Sequence, residues 1–135
     1  MLNTLELKAL VENFSQLSAW WHDIASSWNL NDALTGKIEI CLEEVYVNIA
    51  SYAYGDKSGT ARISAEKNDN EITLKFEDKG ISYNPLQKED PDITLSLEER
   101  PIGGLGIFMV KEMVKDIEYK REDEKNILIL KFDID

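Results

Sequence analysis

Apolar residues recur at two periods along the chain, and the switches between them mark out the elements. Leu5, Leu7 and Ala9 alternate with Glu6 and Lys8, which predicts a short opening strand. Leu10, Phe14, Leu17, Trp21, Ile24 and Trp28 then come at steps of three and four, the apolar face of a helix over roughly 11–28. Asn29-Leu30-Asn31-Asp32 interrupts that face and offers a cap for the next helix. A second stripe, Leu34, Ile38, Cys41, Val45, Ile49 and Tyr52, predicts a helix from about Asp32 to Tyr52. After a Gly-rich turn at 55–59, period two returns at Ala61, Ile63 and Ala65. A tight Asn68-Asp69-Asn70 hairpin leads into Ile72, Leu74, Phe76 and Asp78 in the same alternation. Gly103-Gly104-Leu105-Gly106 opens a third helix, with Ile107, Val110, Met113 and Val114 as its apolar side. Ile117 and Tyr119 begin a strand, 122–126 turns, and Leu128, Leu130, Phe132 and Ile134 share one face of the last strand.

This order, with two helices after the first strand and one between the hairpins, predicts an α+β fold. Its expected form is a two-layer α/β sandwich, with the helices collected on one face of a mainly antiparallel sheet. Between the hairpins lies a stretch without periodicity, 86–102, acidic and bounded by Pro85 and Pro101. A loop that long in a compact domain usually works as a lid or a binding loop.

Composition narrows the class. The 135 residues fit one domain, and 43% hydrophobic with 30% charged residues suits a soluble, folded chain. A net charge of −11 disfavours nonspecific attachment to nucleic acid or to an anionic membrane. No apolar run is long enough to span a bilayer, and the N-terminus lacks a basic-then-apolar leader. The single cysteine, Cys41, falls on a helix stripe and is expected to be a small core residue in a cytoplasmic protein. His22, the one histidine, has no metal-ligating neighbour and is read as a surface residue. Trp20 falls off its stripe and is left for a partner surface.

Three groups of residues carry candidate chemistry. Glu44 and Asn48 lie one helical turn apart and face the same way at the edge of the packed side. The Asn can give a neutral oxygen to a hard cation such as Mg²⁺, and the Glu can deprotonate a nucleophile. An exposed helix face would show the same spacing. Asp78 continues the buried register of Ile72, Leu74 and Phe76, so a carboxylate points to the core side where it needs a partner. It can accept from an exocyclic amino group such as that of adenine. Gly80 after it leaves a bare backbone position, and Asn84-Pro85 turns the chain. The bland reading is a satisfied strand-end Asp. Gly103, Gly104 and Gly106 at a helix N-terminus could admit phosphate, or serve only as a hinge. They match neither the dinucleotide-binding fingerprint nor a P-loop.

Taken together, these residues resemble the GHKL ATP-binding fold of gyrase, heat-shock chaperones, sensor histidine kinases and MutL. Glu44-xxx-Asn48 resembles its N box, Asp78-Lys79-Gly80 its first Gly box and Gly104-Leu105-Gly106 its second. Within that group the chain is most similar to the bacterial anti-sigma factor serine/threonine kinases, through the Asp78–Pro85 turn and the Arg100–Gly106 run, over nearly its whole length. The resemblance implies one domain over 1–135 with an ATP lid at about 82–102. It implies ATP and Mg²⁺ as cofactors, with Asn48 holding Mg²⁺, Asp78 reading adenine, Gly80 making room beside the base, and Gly103, Gly104, Leu105 and Gly106 at the phosphates. Glu44 would be the base toward a partner's serine and Arg100 would stand near the γ-phosphate. The implied partners are a sigma factor and a STAS-type anti-sigma-factor antagonist, with a homodimer as in relatives. The alternative is an ATP-binding module that sequesters a partner without catalysis. Ser82, where sensor kinases carry a second glycine, and the lack of a phosphoacceptor-His helix argue against a sensor kinase.

Overall fold

The computed structural model describes residues 2–55, 57–87 and 105–134. Five strands, β1 (Leu2–Lys8), β2 (Thr60–Lys67), β3 (Glu71–Asp78), β4 (Asp116–Glu122) and β5 (Lys125–Asp133), pair antiparallel throughout in the order β1-β2-β3-β5-β4. Ala61, Ile63, Leu74, Phe76, Leu130 and Phe132 line one sheet face and are essentially inaccessible to water. Against that face pack α1 (Phe14–Ser27), α2 (Asp32–Asn48) and α3 (Leu105–Met113), through Leu17, Trp21, Ile38, Leu42 and Val110. The other sheet face carries Thr4, Ser64, Thr73, Lys75 and Glu77, as alternation requires. The fold is therefore the expected α/β sandwich with its helices on one side.

Trp21 ties the helical layer together. Its ring is fully buried and its Nε1–H donates to the Thr35 carbonyl at 3.0 Å. The start of α2 is fixed by Asn31, whose side chain accepts from the Leu34 N–H at 2.8 Å. Cys41 is buried, and burial pushes its thiol up to about 12, so it behaves as the apolar residue its position suggested. His22 is at the surface, with Nε2 2.8 Å from Glu39 Oε1.

Four details depart from the periodicity. Leu10 is exposed, because it precedes the helix in an extended conformation and 11–13 form a single 3-10 turn. Trp20, off the stripe, still packs partly buried against the core. The second helix ends as an α-helix at Asn48 and continues as a π-helical turn, Ile49–Ala53. The wider turn advances the register by one residue, so Ala53 is buried while Tyr52 is 48% exposed. Lastly, the final hairpin turns on two residues only. Asp123 and Glu124 both take left-handed φ, 53° and 63°, as a two-residue hairpin loop needs. Strand β5 therefore begins at Lys125, and Asn126 lies in the sheet and not in a turn.

Candidate nucleotide site

The register of β3 carries Asp78 to the core side of the sheet end, where it is 7% exposed. Its strand partner there is Asn126 of β5. Asn126 Nδ2 donates to Asp78 Oδ1 at 2.9 Å, and the Gly80 N–H donates to the same oxygen at 2.9 Å. Among the described residues Asp78 Oδ2 takes no hydrogen bond. The buried carboxylate thus has one oxygen satisfied and one to offer.

Asp78 and Asn126 stand in a mainly apolar pocket. Val45 and Asn48 of α2 and Ile49 of the π-helical turn line it on one side, together with Phe76, Leu128, Ile81, Tyr83, Pro85 and Ile107. A flat heterocycle with an amino substituent matches such a lining, since the walls offer area and Asp78 offers one directed acceptor. Ile81 is 65% exposed at the rim, apolar surface that a stacked base would cover.

The 79–83 turn is clamped from several elements. The Tyr54 hydroxyl donates to the Thr60 carbonyl at 2.5 Å and accepts from the Lys79 N–H at 2.8 Å. The π-helical turn presents the Ala53 carbonyl to the Ile81 N–H at 2.8 Å. Arg121 Nη1 donates to the Gly80 carbonyl at 2.9 Å, and Asn126 Nδ2 to the Ile81 carbonyl at 2.8 Å. Gly80 itself does not line the pocket. A β-carbon there would run into the Ala53 carbonyl, so its bare backbone admits the protein's own chain. Gly80→Ala is expected to destabilise the fold by about 1–3 kcal/mol through this overlap. It should also weaken nucleotide binding, because the turn and Ala53 can no longer meet. Denaturant melts beside calorimetric titration with ADP check both.

Glu44 and Asn48 do face the same way, but they do different things. Asn48 lines the pocket; Glu44, one turn earlier, lies against the first turn of α3. A β-carbon on Gly106 would collide with Glu44 Oε2, so that glycine lets the carboxylate sit against the helix start. Burial, and secondarily the neighbouring Glu43 charge, hold the Glu44 carboxyl above the usual 4.5. A carboxyl shifted upward is better matched to accepting a proton near neutral pH. Leu105 is the first residue of α3. Arg100, Gly103 and Gly104 lie outside the described residues, as does most of the expected lid.

No group of three or more His, Cys, Asp or Glu side chains that could hold a metal occurs among the described residues. Asn48 offers one neutral oxygen at the pocket wall, and Mg²⁺ is commonly held by one or two protein oxygens together with substrate phosphates. No described helix is long and apolar enough to cross a membrane.

Sequence patterns missed the polar partners of Asp78. Asn126 falls in the charged stretch that predicts a turn, although it stands two residues before Leu128 in the same alternation that singles out Asp78. Tyr119, whose hydroxyl donates to Asn126 Oδ1 at 2.5 Å, shows in the pattern only as the start of a strand.

The chain is similar to several known proteins. The family model described as "Histidine kinase-like ATPase domain" matches residues 7–132. The serine/threonine-protein kinase BtrW of Bordetella bronchiseptica is 26% identical over 129 residues, 95% of this chain and 91% of that protein. The serine-protein kinase RsbW of Bacillus thuringiensis is 26% identical over 99 residues, 70% of this chain and 62% of its own length. Among solved structures, the Acinetobacter baumannii histidine kinase AdeS superposes with a TM-score of 0.51 at 20% identity, over all of this chain and 69% of that one, a likeness of fold.

Proposed function

The chain belongs to the histidine kinase-like ATPase domain family, and from that premise we propose that it is an ATP- and Mg²⁺-dependent protein serine/threonine kinase of the anti-sigma type. It would bind a sigma factor in one state. In the other it would phosphorylate a small antagonist of the STAS type, work that belongs to the cytoplasm. The observation that supports this most is the half-satisfied carboxylate of Asp78 in an apolar pocket flanked by Asn48, with Glu44 one turn away. The serine-kinase names of BtrW and RsbW support the acceptor class.

In this reading Asp78 accepts from the adenine amino group and the pocket walls cover the ring. Asn48 would supply an oxygen to Mg²⁺, which when bound neutralises phosphate charge. Glu44 takes the proton of a partner serine hydroxyl, and the serine oxygen then displaces ADP from the γ-phosphorus. Arg100 and the glycines at 103, 104 and 106, with Leu105, would surround the phosphates. Positioning and charge neutralisation are most of what phosphoryl transfer needs.

The test is incubation with γ-labelled ATP, Mg²⁺ and candidate antagonist proteins, reading label on serine or threonine. Labelling supports the kinase. Tight ATP binding with no labelling of any candidate favours a module that sequesters its partner without catalysis. Asn48→Ala removes no large apolar group and is expected to fold normally. In it, Mg²⁺ should no longer strengthen ADP or ATP binding, whereas in the wild type it should. Titrations with and without Mg²⁺ decide this, and an equal Mg²⁺ effect in both proteins would remove Asn48 from the metal site.

A further inference from the structure

We propose that Tyr119 and Asn126 are positioning residues that set the nucleobase selectivity of the pocket, making its polar end an acceptor-only surface. The inference rests on the reading of Asp78 as the group that meets the base. Asn126 cannot be turned over. Its Nδ2 faces two acceptors, Asp78 Oδ1 at 2.9 Å and the Ile81 carbonyl at 2.8 Å, while its Oδ1 faces the Tyr83 N–H at 3.3 Å. Rotating the amide would set oxygen against oxygen and nitrogen against N–H.

With that orientation fixed, the Tyr119 hydroxyl must donate its one hydrogen to Asn126 Oδ1, at 2.5 Å. Tyr119 also lines the pocket, so what its hydroxyl can still offer there is lone pairs. Both amide hydrogens of Asn126 are used inside the wall. Asp78 Oδ1 holds two N–H donors, which leaves Oδ2 as the outward oxygen. Asp78, Asn126 and Tyr119 together therefore present acceptors and no free side-chain donor to the pocket. A base carrying an amino group there is matched, while one carrying a carbonyl meets lone pairs on both sides.

The experiment compares ADP with IDP, in which a carbonyl replaces the 6-amino group, by calorimetric titration of the wild type, Tyr119→Phe and Asn126→Ala. The wild type should prefer ADP. Tyr119→Phe, which removes one hydroxyl at the pocket wall, should lower the ADP-to-IDP ratio about threefold, partly by letting IDP bind better. Asn126→Ala frees Asp78 to rotate and should lower the ratio about tenfold. A purely structural role would weaken both nucleotides equally and leave the ratio unmoved. A discriminating wild type with unchanged ratios in folded variants overturns this inference alone. If Asn126→Ala does not fold, the Tyr119→Phe ratio decides. A wild type that binds both equally overturns the reading of Asp78 itself, and this inference with it.

Discussion

Glu44→Gln is expected to slow phosphoryl transfer to a partner serine by about 10²–10⁴, the usual cost of losing a general base, while leaving ATP affinity nearly unchanged. The separation follows from where Glu44 stands. It does not line the pocket but lies beside it, against Gly106. An interaction used only in the transfer step changes turnover and not ground-state binding. The wild-type rate should fall on acidification through a limb above 4.5, because burial raises the carboxyl and a protonated base is inactive. That limb should vanish in the Gln variant.

Stability provides the contrast. Since folding raises the Glu44 pKa, ionising it costs stability as pH rises from below its ordinary value to above its raised one. Gln carries no such cost, so the variant should melt no lower than the wild type at neutral pH. Single-turnover transfer at saturating ATP, run beside thermal melts, checks all of this. Transfer at the wild-type rate removes Glu44 from the mechanism. A joint loss of melting temperature and ATP affinity would make it structural instead.

Asp78→Asn should cost about 2–3 kcal/mol of ATP binding, the scale of a hydrogen bond to a charged group. The structure adds a sign that size and charge alone would not give. Two donors, Asn126 Nδ2 and the Gly80 N–H, converge on Oδ1. In the variant they would hold the amide oxygen at that place, so the new NH₂ would face the pocket. A donor would then stand where Asp78 presents an acceptor, and preference should move from ADP toward IDP. Equal loss of both nucleotides would mean that Asp78 shapes the pocket without reading the base. Wild-type ADP affinity in a folded variant would take it out of the site.

The stretches that build the site were legible because each is set by short-range geometry. Alternation over Ile72, Leu74 and Phe76 is enough to send Asp78 inward, since successive strand residues point to opposite faces. Helical spacing is enough to align Glu44 with Asn48. The same local rules failed where a neighbouring element intervenes. Tyr52 fits a helical stripe, but a π-helical turn that presents the Ala53 carbonyl to Ile81 displaces it to the surface. The bare backbone of Gly80 suggests room for a ligand, yet a β-carbon there would meet the Ala53 carbonyl.

By itself, then, the sequence determined the order of elements, the inward register of Asp78 and the shared face of Glu44 and Asn48, all consequences of backbone periods acting over a few residues. Only the tertiary structure decided what those groups touch. Asp78 and Asn126 become neighbours because β3 and β5 pair across a sequence separation of 48. Tyr119 reaches Asn126 because a two-residue turn folds β4 onto β5. Glu44 meets Gly106 because α2 and α3 pack on one sheet face, so that the last glycine of the predicted phosphate turn is also the seat of the proposed base. Hydrogen bonds of this kind depend on atoms brought within about 3 Å of each other, and no period along the chain carries that information.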